Sequence, residues 1–178
     1  MNEYDLDNSF VTGEEEALRC AIERYGQPLL RYCHNILCDY TEAQDAVQVT
    51  FIKAYNKRKS FKKGTSLSSW LYRIAYRTSI DMVRKRKRLF FIPKKQNKEE
   101  DQGCDFIAED LKAALSSLSP EDRALVFSRA IDEKSYADLE DIYQVPTITL
   151  RKRYQRAKTK LAKILKENNS YYSRLEER

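Results

Sequence analysis

Glycine and proline are scarce in this chain, with four of each among 178 residues. So few turn-forming residues leave little room for the tight connections of a β-sandwich or barrel, and the expected fold class is all-α. No apolar run approaches the roughly 20 residues that a membrane-spanning helix needs. Residues 1–13 are acidic and polar, without the basic-then-apolar pattern of a secretory leader, so a cytoplasmic location is expected. Histidine occurs once, as His34. No cluster of carboxylates has metal-site spacing, and no nucleophile stands with an activating base. Catalysis, a cofactor and a small-molecule substrate are therefore not expected. The four cysteines, Cys20, Cys33, Cys38 and Cys104, read as reduced thiols. Cys33 falls on an apolar helical stripe and the spacing fits no zinc knuckle, so packing is the expected role and no metal is assigned.

One further absence is local. Residues 142–166 contain no Asp or Glu, against 8 Lys or Arg. Residues 61–95 hold 11 basic residues and 1 acidic one. The stretches before and between lean the other way, with 7 basic against 10 acidic in residues 1–60 and 5 against 13 in residues 96–141. Two separated basic blocks look like two footprints on a polyanion.

Apolar residues at three- and four-residue steps trace the elements. Leu18, Ala21, Ile22, Tyr25, Leu29, Cys33 and Ile36 predict a helix over residues 14–37, broken or kinked at Gly26 and Pro28. Thr41 with Gln44 is a capping-box pattern for a second helix, whose inner side is Ala43, Val47, Phe51 and Ala54. Residues 57–69 read as a polar loop, and Ser68 or Ser69 as the cap of a helix beginning at Trp70 and ending in the basic run Arg84 to Arg88. Residues 93–109 lack periodicity and read as a flexible linker between two small helical domains, residues 1–92 and 110–178. In the second, Ser119-Pro120-Glu121-Asp122 and Ser135 with Asp138 are helix starts. Val145-Pro146-Thr147 makes a turn, with Thr147 as cap of a last helix carrying Leu150, Tyr154, Ala157 and Leu161 inward.

A short helix, a tight turn and a longer basic helix describe a helix-turn-helix. The second helix of that motif lies in the major groove. Its expected outer face is Thr149, Arg151, Lys152, Arg153, Gln155 and Arg156, with Thr147 beside a phosphate. Arg pairs bidentately with guanine and Gln with adenine. The first basic block instead interleaves Phe61, Trp70, Tyr72 and Tyr76 with Lys62, Lys63, Arg73, Arg77 and Arg84, with Lys85 beside them. Aromatic faces stack on unpaired bases while cations hold the backbone, which is the pattern of a single-strand site.

Asp45-Ala46-Val47-Gln48-Val49-Thr50-Phe51, Trp70-Leu71-Tyr72-Arg73-Ile74-Ala75 and Ile80-Asp81-Met82-Val83-Arg84 resemble the second conserved region of extracytoplasmic-function sigma factors. Ser135-Tyr136-Ala137-Asp138-Leu139 through Arg153-Tyr154-Gln155-Arg156-Ala157 resembles their fourth. The resemblance implies an alternative sigma factor that recruits core RNA polymerase to promoter DNA. Asp45, Gln48 and Phe51 would dock on the β′ clamp helices, and the second domain would meet the β flap. Lys62, Lys63, Trp70, Arg73, Arg77, Arg84 and Lys85 would hold the −10 element, and the last helix would read the −35 element. An anti-sigma factor is an implied partner. The chain departs from the family at Gln44, at Arg77, where Asn is usual, and at Gln144 and Ile148, near which Gly is frequent. The alternative reading is a helix-turn-helix regulator that acts without polymerase.

Overall fold

Leu6 and Phe10, four residues apart, give the acidic N-terminal stretch one apolar side. Both are almost fully buried, and helix α1, Glu3–Thr12, forms around them. The sequence pattern had left this stretch outside the first domain's helices, because two apolar residues are too few to establish a period. Gly13 stops α1 at φ 83°. A side chain there would also collide with the guanidinium of Arg58.

The computed structural model describes residues 3–61, 66–89 and 109–168. Every regular element among them is helical. Helix α2, Glu15–Leu37, runs through Pro28 without the break that was one of the two outcomes expected there. Proline removes one backbone donor and crowds the preceding turn. Buried Tyr25, Leu29 and Tyr32 on both sides of it keep the helix against the core. Cys38 ends α2 in the left-handed region at φ 54°, its N–H donating to the His34 carbonyl at 2.8 Å.

Helix α3, Tyr40–Lys57, starts on Asp39 rather than Thr41. The Asp39 carboxylate accepts the Glu42 N–H at 2.8 Å. A charged acceptor at the positive end of the helix outdoes a hydroxyl two residues further in. A short 3-10 turn, Arg58–Ser60, follows. Helix α4, Leu67–Leu89, begins three residues before the expected start at Trp70. Neither Ser68 nor Ser69 is its cap. The Leu67 N–H instead donates to the Asp7 carboxylate of α1 at 3.3 Å, a partner sixty residues away that no local pattern reveals.

Helices α2, α3 and α4 pack mutually, with α1 laid against α2 and the 3-10 turn. The second half contains α5, Glu109–Ser116, α6, Pro120–Ala130, α7, Tyr136–Tyr143, and α8, Thr147–Asn168. Here two of the three expected caps are in place. Ser119 accepts the Asp122 N–H, and Pro120 opens α6. Ser135 and Asp138 form a complete capping box. Two small apolar groups hold this half together: Ala114, Leu118, Ala157 and Leu161, and beside them Leu125, Leu139 and Leu150.

Two helical units joined by a connection are thus present as expected. The expected linker, residues 93–109, lies outside the described residues except for Glu109, where α5 begins. The units also touch: α6 packs on α2 and α7 on α4.

Candidate nucleic-acid interfaces and an apolar groove

The geometry of α7 and α8 is set by their ends. Gln144 takes the left-handed conformation at φ 55° and donates its N–H to the Glu140 carbonyl at 2.8 Å, closing α7. Glycine is the residue best suited to that position. Two residues later the Pro146 carbonyl accepts from Thr149 at 2.9 Å and Leu150 at 3.1 Å, which starts α8. Thr147 is the first residue of α8 and not its cap. Its N–H donates to the Glu140 carboxylate at 3.1 Å, so a side chain of α7 already occupies one donor expected for a phosphate. Buried Leu139 and Leu150 share one apolar group, which locks the two helices together.

This packing leaves Thr149, Arg151, Lys152, Gln155 and Arg156 exposed on one face of α8. Thr147 is half-buried. Arg153 departs from the expected outer face. It sits three residues after buried Leu150, at the edge of the inner stripe, and pairs with Asp122 of α6 at 3.2 Å. Arg151 lies over the ring of Tyr136 at 5.1 Å, as does Arg129 at 5.2 Å. Ile148, 65% exposed, stands at the start of the same face.

On α4, Trp70, Arg73, Arg77 and Arg84 recur at helical spacing along one side. Arg77, Arg84 and Lys85 are exposed. Trp70 is half-buried, its ring set against Phe10 at 6.3 Å and Phe61 at 5.2 Å, so it anchors α4 on α1 and the 3-10 turn. Arg73 donates through Nε to the Asp141 carbonyl of α7 at 2.7 Å. Tyr72 is 3% exposed and Tyr76 packs edge-on against Tyr143 at 4.6 Å. The interleaved aromatics therefore contact protein, and the cations toward the C-terminal end of α4 face solvent. Arg86 is used internally as well, bonding Glu42 at 3.0 Å and the Leu37 carbonyl at 3.3 Å. Lys62 and Lys63 lie outside the described residues.

The third expected surface is on α3. Asp45 and Gln48 are exposed, whereas Phe51 is 7% exposed and lies in the floor of a groove between α2 and α3. The groove measures about 580 Å³. Leu18, Ile22 and Leu30 line it from α2, and Val47 and Ile52 from α3, with the Gln27, Gln44 and Gln48 amides alongside. Asp45 is not part of its lining. Ile22, expected on the inner stripe of α2, is 45% exposed, and Ile52 is 60% exposed. Ile52 was legible: it breaks the Ala43, Val47, Phe51, Ala54 period and so had to point elsewhere. Ile22 follows buried Ala21 directly, and the wide stripe of α2 spills past the core.

Burial pushes the Cys33 thiol up to about 11, so it stays protonated and serves packing. Burial likewise raises the Asp132 carboxyl, and the Tyr72 hydroxyl near it works in the opposite direction.

Two family profiles match in order along the chain, Sigma-70 region 2 over residues 21–89 and Sigma-70, region 4 over residues 108–161. The ECF RNA polymerase sigma factor SigW of Bacillus subtilis is 25% identical, over 87% of this chain and 92% of its own length. The ECF RNA polymerase sigma factor SigE of Mycolicibacterium smegmatis is 28% identical, over 90% of this chain and 67% of its own. Among solved structures, the sigma factor RpoE of Bartonella quintana, in complex with the anti-sigma factor NepR, superposes with a TM-score of 0.68 at 25% identity, covering 85% of this chain and 98% of that one. CnrH in complex with the cytosolic domain of CnrY superposes with a TM-score of 0.74 at 20% identity, covering 94% of this chain and 99% of that one, and supports the fold. With both sigma regions present in order, and with relatives aligned across both of them, the chain belongs to the extracytoplasmic-function subfamily of bacterial RNA polymerase sigma factors.

Proposed function

We propose that this chain is an alternative sigma factor that binds core RNA polymerase and directs initiation at promoters carrying −10 and −35 elements. The observation that carries this reading is the presence, in one chain, of both sigma regions with two separate basic helical faces. On this reading residues 1–92 bind polymerase and the −10 element, residues 93–109 connect, and residues 110–178 read the −35 element.

Each role follows from the chemistry of its surface. An apolar groove with amide edges and exposed Ile22 and Ile52 suits a helical protein partner better than a polyanion. We assign it to the β′ clamp helices, with Gln48 and Phe51 in its lining and Asp45 beside it. Exposed Arg77, Arg84 and Lys85 hold the backbone of an opened strand, joined by Trp70, Arg73, Lys62 and Lys63. On α8, Arg151, Gln155 and Arg156 reach base edges, while Thr147, Thr149 and Lys152 steady the adjacent phosphates. Arg153 serves the face indirectly, by tying α8 to α6 through Asp122. The β flap is the partner of the second domain. An anti-sigma factor fits the same reading, as the partner seen with the Bartonella relative. The protein contributes binding and no chemistry of its own, and acts in the cytoplasm where polymerase and DNA are. No helix among the described residues is long and apolar enough to cross a membrane.

The test is transcription with purified core polymerase on a genomic fragment library, with mapping of RNA 5′ ends. Starts downstream of one shared two-part motif are expected. Failure to bind core polymerase, with protection of a palindromic site by the chain alone, would instead establish a polymerase-independent regulator.

A further inference from the structure

We infer that Ile148 is a specificity-determining residue of the second domain, whose side chain packs on the 5-methyl group of one thymine in the major groove of the −35 duplex. The inference rests on the assignment of α8 to duplex DNA. It adds an apolar base contact to a face whose other assigned residues are all polar.

The position of Ile148 follows from the helical repeat. Successive residues of an α-helix are turned by about 100° around its axis. The inner side of α8 is marked by buried Leu150, Ala157 and Leu161, with half-buried Tyr154 packed beside Leu150. Ile148 falls on the opposite side. It shares that side with Lys152, Gln155 and Thr159, at steps of four, three and four residues. All four are exposed and form the outermost ridge of the helix, with Arg151 and Arg156 flanking it. Ile148 is the N-terminal member of the ridge. In a helix-turn-helix the N-terminal residues of the second helix lie nearest the base edges.

A single exposed apolar side chain is ordinary on a protein surface. Its surroundings give this one a meaning. Ile22 and Ile52 are exposed too, but they stand together over an apolar groove, which suits a protein partner. Ile148 is 65% exposed among Thr149, Arg151, Lys152 and Gln155, and residues 142–166 carry no acid. An apolar protein surface laid there would desolvate those cations without pairing them. A duplex brings the opposite charge to every side of the face. The neighbouring Thr147 N–H is already taken by the Glu140 carboxylate at 3.1 Å, so this end of the ridge is better suited to an uncharged group than to a phosphate.

Among the major-groove edges of the four bases, thymine alone presents an apolar group, its 5-methyl. That makes thymine the base an isoleucine selects. The side chain is also stiff, since a β-branched residue in a helix keeps essentially one χ1 rotamer, and contact therefore costs it little freedom. The glycine frequent near this position in the family could make no such contact. Burying one methyl-sized group is worth about a fourfold change in an equilibrium constant. Ile148 thus grades promoters that Arg151, Gln155 and Arg156 already admit. Its contact neutralises no phosphate, so its worth does not change with salt.

The test uses the full chain with core polymerase and a pool of duplexes randomised over the −35 segment. The most enriched duplex is remade with each thymine in turn replaced by deoxyuridine, which keeps the base pair and removes only the methyl. One replacement should weaken binding of the wild-type chain about fourfold, equally at low and high salt. The same replacement should leave Ile148→Ala unaffected and still weaken Ile148→Val, which keeps a methyl at the contact. On the unmodified duplex Ile148→Ala should bind about fourfold more weakly than wild type. An enriched duplex without thymine overturns the inference, as does a set of replacements none of which separates wild type from Ile148→Ala. Arg151→Ala distinguishes this failure from that of the underlying assignment. If it weakens binding to the enriched duplex while methyl removal has no effect that depends on Ile148, α8 still reads the duplex and only the thymine contact falls. If the wild-type complex enriches no duplex, the assignment of α8 falls and the contact falls with it.

Discussion

The two basic helical faces differ in what already occupies them. On α8, five of the seven residues expected to meet DNA are exposed, and the two that are not, Thr147 and Arg153, bond Glu140 and Asp122. On α4, Tyr72, Arg73 and Tyr76 are engaged by the chain's own α7 and the loop before it, while Arg77, Arg84 and Lys85 are exposed, Arg84 lying 4.0 Å from Asp81. Similar composition thus yields a ready face and a partly guarded one. The contrast suits the two tasks proposed for them. A duplex is present before the promoter opens, whereas an unpaired strand exists only afterwards.

The largest test of this contrast disables the delivery of both faces at once. Ile52→Glu places a charge in the α2–α3 groove without touching the core. Affinity for core polymerase should fall about 100-fold, the scale of a hot-spot loss of roughly 3 kcal/mol, measured by native gel shift. Duplex and strand binding by the free chain should not change. Next in size is Arg151→Ala, which breaks the α8 face alone. It should cost about 1–3 kcal/mol at one base pair of the −35 element, relax selectivity there, and leave strand binding intact. A smaller effect sharpens the other side. Arg77→Ala should weaken strand binding by roughly 1 kcal/mol for every sequence and reduce the salt dependence by about one counterion. Arg73→Ala should do less in the free chain, because its guanidinium already serves Asp141. The smallest effect bears on how α8 is aimed. Gln144→Gly relieves a left-handed residue and should raise stability by about 0.5–1 kcal/mol, read as a shift of a few degrees in the melting temperature.

The helix-turn-helix was legible almost residue by residue, since its signals are local: Ser135 with Asp138, Ser119 before Pro120, and an acid-free α8. The first domain was less so. Its helix starts depend on Asp39 and on Asp7, and Asp7 acts across sixty residues of chain on Leu67. Periodicity identified the apolar side of α2 but not what would cover it, so exposed Ile22 was placed inward. The aromatic and basic pattern of α4 set it apart from the other helices of the first domain. It gave no sign that Tyr72, Arg73 and Tyr76 would meet α7 and its preceding loop. Hydrogen bonds from an arginine or an asparagine to a distant backbone carbonyl, as at Arg123 and Asn35, leave no trace in spacing or composition.

The most direct test of the central claim, that one chain meets DNA in two different states, is photocrosslinking in the polymerase complex. A crosslinker is placed at Arg77 in one version of the protein and at Gln155 in another, and both are bound with core polymerase to a mapped promoter. The account predicts that position 77 attaches to a single strand within the opened segment near the start site. Position 155 should attach to base-paired DNA upstream, with or without the opening. Attachment of both positions to the same duplex segment, or attachment at position 77 that does not depend on polymerase, would contradict it.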